Sequence, residues 1–429
     1  MIEGFRLEKR RIVLIFLGAL GVITFLDRLC IAVAGARMQE ELRIDPDRWG
    51  WILGAFILAY GLFEIPTGAL GDRIGPRRVL TRIVLWWSVF TALTGAAWSF
   101  SALLATSFLF GAGEAGAYPN ASGVIARWFP ARERARTQGF VWGASRFGGA
   151  LSPLLVVPLQ AALGWRASFW IFGALGVLWA AAWWTWFHDD CRQQPGITGR
   201  ELGEIAGTEP RASHRSVPWR ALLRSRQLWL IVAMYWCYAW GSWFYFSWFP
   251  TYLVRGAKLS ERQMGLFAAL PFLLGVAGNL TGGFLSDRLV RRWGLRTGRR
   301  AVGVTSLAVS SVLVLGMAMT RDRAATVAFS ALCFGIMDLM LPVAWAVCLD
   351  VGAGRAGVVT GMMNTAGQFG GFVCTVLFGY MVRATGSYHA PLFAIAGMLA
   401  ASAALFSRID PTRPLVDEGA QIQRQAREQ

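Results

Sequence analysis

Four ionisable side chains interrupt long apolar runs of this chain. Asp27 and Arg28 are adjacent in the first run, Glu64 lies in the second, and Glu114 lies in the fourth. A charge at the centre of a bilayer costs about 2.5–3.5 kcal/mol on insertion scales, so such groups face a watery cavity or a partner. A buried carboxyl can load and release a proton, and a guanidinium matches a carboxylate with two hydrogen bonds. These residue types predict proton binding and anion binding at membrane depth.

The composition places these groups in a membrane protein. The chain has 429 residues, of which 55% are hydrophobic and 16% are charged, whereas a soluble protein carries about 25% charged residues. A run of about 20 apolar residues can cross ~30 Å of hydrocarbon. Twelve such runs, called spans 1 to 12, cover residues 12–36, 51–71, 79–99, 102–124, 138–160, 167–187, 227–254, 262–286, 302–319, 325–349, 358–382 and 388–407. Span 1 follows a basic stretch as a signal peptide would, but its length and the eleven spans behind it predict an uncleaved helix.

The net charge of +17 is distributed unevenly among the connections between spans. The connections after spans 2, 4, 6 and 8 are rich in arginine, whereas residues 97–103 contain no cation and residues 161–167 contain one. The positive-inside rule therefore places both termini and the long middle loop in the cytoplasm. This pattern argues against a nucleic-acid partner, and six cysteines without a C-x-x-C pair argue against a metal site.

Tryptophan is dense near the ends of the spans. We assign most of these side chains to the interface between lipid and water, without a role in substrate binding. The residues concerned are Trp86, Trp87, Trp179, Trp183, Trp184, Trp186 and Trp248.

The two halves of the chain contain an internal repeat. The sequence GALGDR at 68–73 closes span 2, and GFLSDR at 283–288 closes span 8 with the same Asp-Arg pair. Such a parallel repeat indicates two related halves about an axis along the membrane normal. The predicted fold is an all-α membrane protein with an N-terminal six-helix bundle, a cytoplasmic linker with a short helix around Arg200–Ile205, and a C-terminal six-helix bundle with a short tail. Their boundaries are 1–187, 188–226 and 227–429.

Several motifs carry a resemblance to a known family. The sequence GALGDRIGPRR, which begins at Gly68, resembles the signature loop between helices 2 and 3 of the major facilitator superfamily. Within this superfamily, the chain is similar to the anion:cation symporter family of sugar-acid and organic-anion transporters, as further motifs elsewhere in the sequence indicate. These motifs are FLDR in span 1, GEAGAYPN in span 4, WFPARERARTQG before span 5, WFPTYL in span 7 and GMMNTAGQFGG in span 11.

The resemblance implies a monomeric secondary transporter with alternating access in a bacterial cytoplasmic membrane. Its partners would be the lipid bilayer, a small organic anion and a proton, with Na+ as the alternative coupling ion, because one carboxylate cluster can serve either cation. The transporter would need no cofactor. An exporter of the same superfamily and a non-transporting membrane sensor are the alternatives. A membrane enzyme is disfavoured because the three histidines lie outside the span cores and there is no Ser/His/Asp or metal cluster.

The resemblance also implies roles for residues of spans 1, 2 and 4. Asp27 and Glu114 would bind the coupling proton, Arg28 would bind a carboxylate of the substrate, and Tyr60 matches a tyrosine that contacts the substrate. The structural alternatives are a salt bridge between helices for Asp27 and Arg28, and a hydrogen-bonded buried acid for Glu114. Glu64 could be a second proton site or a pairing partner of Arg28 or Arg146, and the two interpretations have equal weight.

Two departures from the family pattern bear on substrate binding. Cys30 stands where an asparagine is common, and Ser107 stands where members often carry an arginine two turns before the glutamate of span 4. Arg146 in span 5 is the candidate that replaces the missing arginine, and snorkelling to the inner membrane surface is the alternative. In span 11, Asn364 matches a substrate-contacting position, and Gln368 lies on the same helical face.

Further acids lie near the cytoplasmic ends of the spans. We interpret Asp72 and its repeat copy Asp287 as gate elements that contact a facing helix end or basic residues such as Arg77 and Arg127. Anchors that only fix the topology are the alternative. Asp338 lies within span 10, and the sequence alone assigns it no role.

Overall fold

The computed structural model describes residues 8–205, 219–352, 356–413 and 415, and every regular element in this part of the chain is helical. All twelve predicted spans coincide with helical segments. In the first half, five spans are single helices: span 1 is Lys9–Glu41, span 2 is Pro46–Ile74, span 3 is Pro76–Ala96, span 5 is Ala131–Leu163 and span 6 is Trp165–Trp186. Each exceeds the length that a bilayer requires.

Spans 4, 7 and 10 are broken helices. Span 4 consists of Phe100–Glu114 and Ala117–Trp128, and span 10 consists of Arg323–Asp338 and Met340–Gly352. Span 7 runs through Arg226–Ser247 and Phe249–Thr251 into a π-helical turn at Tyr252–Gly256. In spans 4 and 10 the break follows an acidic residue directly, so backbone groups beside that acid leave the regular helical pattern.

The remaining spans complete the second half. Span 8 begins with Glu261–Phe267, and one long helical segment, Ala269–Met319, then contains the rest of span 8 and all of span 9. The two are separated at Gly294, whose φ of 80° is non-helical; Gly75, between spans 2 and 3, has a φ of 87°. Both turns need the positive φ that glycine adopts at little cost. Span 11 is Ala356–Thr385 and span 12 is Ala390–Phe406.

The middle loop contains short elements in its described part. These are a 3₁₀ turn at Cys191–Gln193 and helices at Gly199–Ile205 and Trp219–Arg224. The helix at Gly199–Ile205 confirms the short helix predicted around Arg200–Ile205. Eight described helices are long and apolar enough to cross a membrane, and Ala390–Phe406 is a shorter apolar helix.

The chain divides into two compact units. The first comprises Met1–Ser213, Phe246–Leu273 and Thr375–Ser387, and the second comprises His214–Tyr245, Leu274–Cys374 and Tyr388–Gln429. In each unit glycines permit close helix packing: a Cβ at Gly111 would overlap the Phe56 carbonyl oxygen of span 2, and one at Gly278 would overlap the Gly335 carbonyl oxygen of span 10. Small residues at such crossings are typical of membrane helices.

The assignment of most tryptophans to a lipid interface is wrong. Trp87, Trp183 and Trp248 are completely buried, and Trp179 is 6% exposed. Trp183 stacks on Phe187 with the ring centroids 3.9 Å apart. These side chains lie on the inner face of their helices, and position near a span end does not reveal which face a residue occupies. Trp86 and Trp184 remain exposed.

Candidate anion-binding and proton-binding site

An ion pair joins spans 1 and 4 in the first unit. Nη2 of Arg28 donates a hydrogen bond to Oε1 of Glu114 at 2.7 Å, and the two side chains are 10% and 1% exposed. The structure therefore brings together the predicted anion-binding residue and one predicted proton-binding residue. The contact has the geometry of the salt bridge between helices that the sequence allowed as a structural alternative. A charge-assisted hydrogen bond of this length is among the stronger kinds.

Aromatic rings surround the Arg28 guanidinium. Its Cζ lies 5.1 Å from the ring centroids of Phe25 and Phe56 and 4.9 Å from that of Tyr60. Tyr60, predicted to contact the substrate, thus lies next to Arg28. Cation–π attraction holds the guanidinium in this position. Nε of Arg28 and Oε2 of Glu114 are buried without a hydrogen-bond partner among the described residues, which leaves one donor and one acceptor for further chemistry at this point.

Asp27 does not pair with its neighbour Arg28. Its side chain is buried, and both carboxyl oxygens lack a hydrogen-bond partner among the described residues. The Trp87 indole of span 3 and the Glu114 carboxyl are close enough to interact with it electrostatically. An isolated carboxylate is costly to bury, whereas a protonated carboxyl costs much less. Asp27 is therefore a buried acid that lies beside the Arg28–Glu114 ion pair.

Arg146 of span 5 is also buried near Phe25. Its Cζ lies 5.9 Å from the Phe25 ring centroid and 5.3 Å from that of Phe246. The two arginines therefore share one phenyl ring. Arg146 is 6% exposed, which argues against the snorkelling alternative. The preceding residue, Ser145, exchanges a 2.8 Å hydrogen bond with the hydroxyl of Tyr118.

The other predicted binding residues lie in different surroundings. Glu64 is half-buried and interacts electrostatically with Tyr60, one turn earlier in span 2. Asn364 and Gln368 are half-buried in the second unit, where Oε1 of Gln368 has no hydrogen-bond partner among the described residues. The substrate roles of these residues stay predictions.

The predicted gate residues have defined partners where they are described. Arg77 donates to the backbone carbonyl of Trp184 at 3.0 Å, and its own backbone N–H donates to Asp189 at 2.8 Å. The side chain of Asp72 lies outside the described part of the chain, and Arg127 is half-buried.

In the second unit, Asp287 accepts a 2.9 Å hydrogen bond from Arg299. Arg299 also binds Asp350 at 3.1 Å and Ser286 at 2.9 Å. Sequence reasoning missed this arginine because a basic loop offers six arginines without showing which one folds back. The acids Asp287 and Asp350, 63 residues apart in the chain, thus share one cation.

A second set of ion pairs joins helix ends within the first unit. Arg37 binds Glu261 through two of its nitrogens at 2.8 and 2.5 Å, and Arg383 binds Asp47 at 2.5 Å. Arg255 donates to the backbone carbonyl of Ala36 at 3.0 Å. The span ends involved are those opposite the Asp72 and Asp287 loops. The sequence showed these charges but could not show their pairing, since the partners are more than 200 residues apart.

The phenyl rings around Arg28 and Arg146 were also missed by sequence reasoning. Phe25 precedes Arg28 by three residues, a spacing that places both on one helical face. That signal was available in the sequence. Phe56 and Phe246 carried no such signal, because only packing brings spans 2 and 7 to this position.

Comparison with known proteins agrees with the helical architecture. The family model described as Major Facilitator Superfamily matches residues 17–375. The probable sulfoacetate transporter SauU of Cupriavidus necator is 36% identical over 406 residues, which are 94% of each chain. The hexuronate transporter of Bacillus subtilis is 30% identical over 95% of this chain and 96% of its own length. The probable L-galactonate transporter of Escherichia coli is 29% identical over 93% and 88%.

A solved structure shares the fold. The crystal structure of a bacterial homolog to the human lysosomal transporter Spinster, in an inward-facing and unoccupied conformation, superposes with a TM-score of 0.77. The match covers 94% of this chain and 97% of that chain at 19% sequence identity. At this identity the likeness concerns the fold alone.

Proposed function

Because this chain belongs to the Major Facilitator Superfamily, we propose that it imports a small organic anion together with protons by alternating access. It is a multi-pass membrane transporter and not an enzyme. In the proposed cycle, both termini lie in the cytoplasm of a bacterial cell, and the proton gradient drives uptake. Proton binding to Glu114 and Asp27 accompanies binding of the anion.

The observation that carries this proposal is the ion pair between Arg28 and Glu114. In its ionised form, Glu114 pairs with the Arg28 guanidinium and so competes with the anion for this cation. A proton on Glu114 removes its charge and releases Arg28 for a substrate carboxylate, so proton and anion favour each other's binding. Such reciprocity is the thermodynamic requirement for coupling. The unpartnered Nε of Arg28 provides the second donor of a two-point contact.

The arrangement of cations supports a substrate with one or two acidic groups. Arg28 and Arg146 lie on the same phenyl ring, and two guanidinium groups can neutralise a dianion or grip one carboxylate from two directions. The relatives include probable transporters of sulfoacetate and of galactarate or D-glucarate, whose substrates fall in this class. Tyr60, Asn364 and Gln368 are proposed to contact the uncharged part of the substrate.

Gating is proposed to use the ion pairs at opposite ends of the spans. The pairs Arg37–Glu261 and Asp47–Arg383 join the ends of spans 1 and 2 to the ends of spans 8 and 11. Alternating access requires such contacts to exist in one state and break in the other. The cluster around Arg299, together with Asp72, Arg77 and Arg127, is proposed to act at the cytoplasmic ends.

The test is transport by the purified protein in liposomes. The wild type should accumulate labelled sulfoacetate or galactonate when the outside is acidic, and a membrane sensor would give no flux. A carrier that moves the anion outward under the same gradient would be an exporter. Glu114→Gln should exchange anions across the membrane without accumulating them, because glutamine cannot carry the coupling proton. Glu40→Gln, an exposed acid outside the site, is the matched control and should accumulate normally.

Full accumulation by Glu114→Gln would contradict the coupling role of this residue. Loss of both exchange and accumulation would indicate that the variant no longer binds the anion. That result would be checked by binding of the same labelled acids in detergent.

A further inference from the structure

The internal repeat extends to the acids at the broken helices. Span 4 contains Phe-Gly-Ala-Gly-Glu at 110–114, and span 10 contains Phe-Gly-Ile-Met-Asp at 334–338. In both, the helix ends at the acid itself: the first segment of span 4 ends at Glu114 and that of span 10 ends at Asp338. A proline follows within five residues in each copy. Asp338 therefore occupies the position in the second half that Glu114 occupies in the first.

The packing around the two acids is also repeated. Gly111 lies against the backbone of Phe56 in span 2, and Gly335 lies against Leu274 in span 8. In each half the fourth span thus crosses the second span at the glycine three residues before the acid. Glu114 faces the first span of its half through Arg28 at 2.7 Å. Asp338 faces the first span of its half through the hydroxyl of Tyr238 at 3.5 Å.

The surroundings of Asp338 are fitted to its carboxyl group. The side chain is completely buried. Glycines of span 8 lie directly against it. A Cβ at Gly275 would lie 3.0 Å from Oδ2, and one at Gly278 would lie 3.5 Å from the Asp338 Cβ. The titratable group that faces it from span 7 is Tyr238, and the ring centroid of Tyr235 lies 5.1 Å from that of Tyr238. A phenol can hydrogen-bond to an acid in either protonation state and carries no positive charge of its own.

We propose that Asp338 is a further proton-binding site of the transport cycle, located in the second half and separate from Glu114 and Asp27 of the first half. The inference rests on the transport function proposed above. The site takes up one proton, which forms an O–H bond on the Asp338 carboxylate, and returns it to water on the other side. This site adds one proton per anion to those that Glu114 and Asp27 bind in the first half.

The experiment measures the ratio of proton flux to anion flux in liposomes with labelled sulfoacetate and galactonate. The membrane voltage at which net flux reverses gives this ratio directly. Asp338→Asn should lower the ratio by one relative to the wild type, and Asp338→Glu should restore it. Asp322→Asn, which replaces an exposed helix-capping acid on the same span, is the matched control and should keep the wild-type ratio.

Each outcome bears on a different statement. An unchanged ratio of proton flux to anion flux in Asp338→Asn would overturn the proton site at Asp338 while leaving the proposed function intact. Absence of any flux in the wild type would overturn both. If Asp338→Asn does not elute as a homogeneous protein, Tyr238→Phe provides the test, since it removes only the hydroxyl that faces the acid. That variant should shift the pH at which uptake is half-maximal, and an unchanged pH profile would overturn the proposal.

Discussion

Replacement of Arg28 by methionine is the most direct test of the buried ion pair. Methionine fills a similar volume without a charge, so Glu114 would be left buried without its cation. Breaking a buried pair in this way costs about 3–5 kcal/mol. The substitution also removes the cation–π contacts of the guanidinium with Phe25, Phe56 and Tyr60. Each such contact contributes about 0.5–2 kcal/mol, and packing of the methionine side chain recovers part of this free energy.

The double variant Arg28→Met with Glu114→Gln separates the pair from the rest of its surroundings. Because both charges are then absent, its cost should be smaller than the sum of the two single costs by about 1–3 kcal/mol. The free energy of unfolding is measured in detergent by denaturant titration. The matched cycle uses Arg166→Met with Glu41→Gln, whose partners are 30% and 51% exposed. There the coupling should be below about 1 kcal/mol, as for surface pairs.

Anion affinity provides the second readout of the same variant. A hydrogen bond to a charged group contributes about 1.5–3 kcal/mol, so loss of the guanidinium should weaken binding of a carboxylate by about 10- to 100-fold. Arg28→Lys keeps the charge but loses the planar fork, and should fall between the wild type and Arg28→Met. Additive costs of Arg28→Met and Glu114→Gln within about 0.5 kcal/mol, together with unchanged affinity, would refute this account of the site.

Three further predictions concern other parts of the molecule. Arg37→Glu should impair transport because it places two acids together, and adding Glu261→Arg should restore much of the rate; failure of the double variant in the liposome assay would argue against this pair as a gate. Gly111→Ala should destabilise the protein by about 1–3 kcal/mol, because its Cβ would overlap the Phe56 backbone. Gly123→Ala, which meets open space in its helix, should be neutral or stabilising by up to about 1 kcal/mol, and equal effects in thermal unfolding would contradict the packing argument. A membrane-impermeant maleimide should label Cys191 in inverted vesicles and not in intact cells, if the middle loop is cytoplasmic. Burial, followed by the charge of Asp190, raises the pKa of the Cys191 thiol, so its thiolate is scarce at neutral pH and labelling should accelerate as the pH rises.

Sequence reasoning went furthest where local chemistry decides the structure. All twelve spans follow from apolar run length, since the thickness of the bilayer sets the length of a helix that crosses it. The positions of Asp27, Arg28 and Glu114 stood out because a charge in such a run requires compensation. The repeat of the Asp-Arg loop was visible because both copies keep the same residues and spacing.

Partners across the chain were beyond the reach of the sequence. The sequence left the partner of Arg28 open, and the fold selects Glu114, 86 residues away. The tryptophans near span ends showed the same limit, because the face that each one occupies depends on which helix lies beside it.

The amino-acid sequence alone determined that this chain crosses a membrane many times and which charged groups lie within the spans, because hydropathy and run length are properties of local segments. The tertiary structure decided which of these groups meet: Arg28 with Glu114, Arg146 on the ring of Phe25, and Asp338 opposite Tyr238. Contacts of this kind depend on helix rotation and on glycines that allow close approach, and neither is encoded in any single segment.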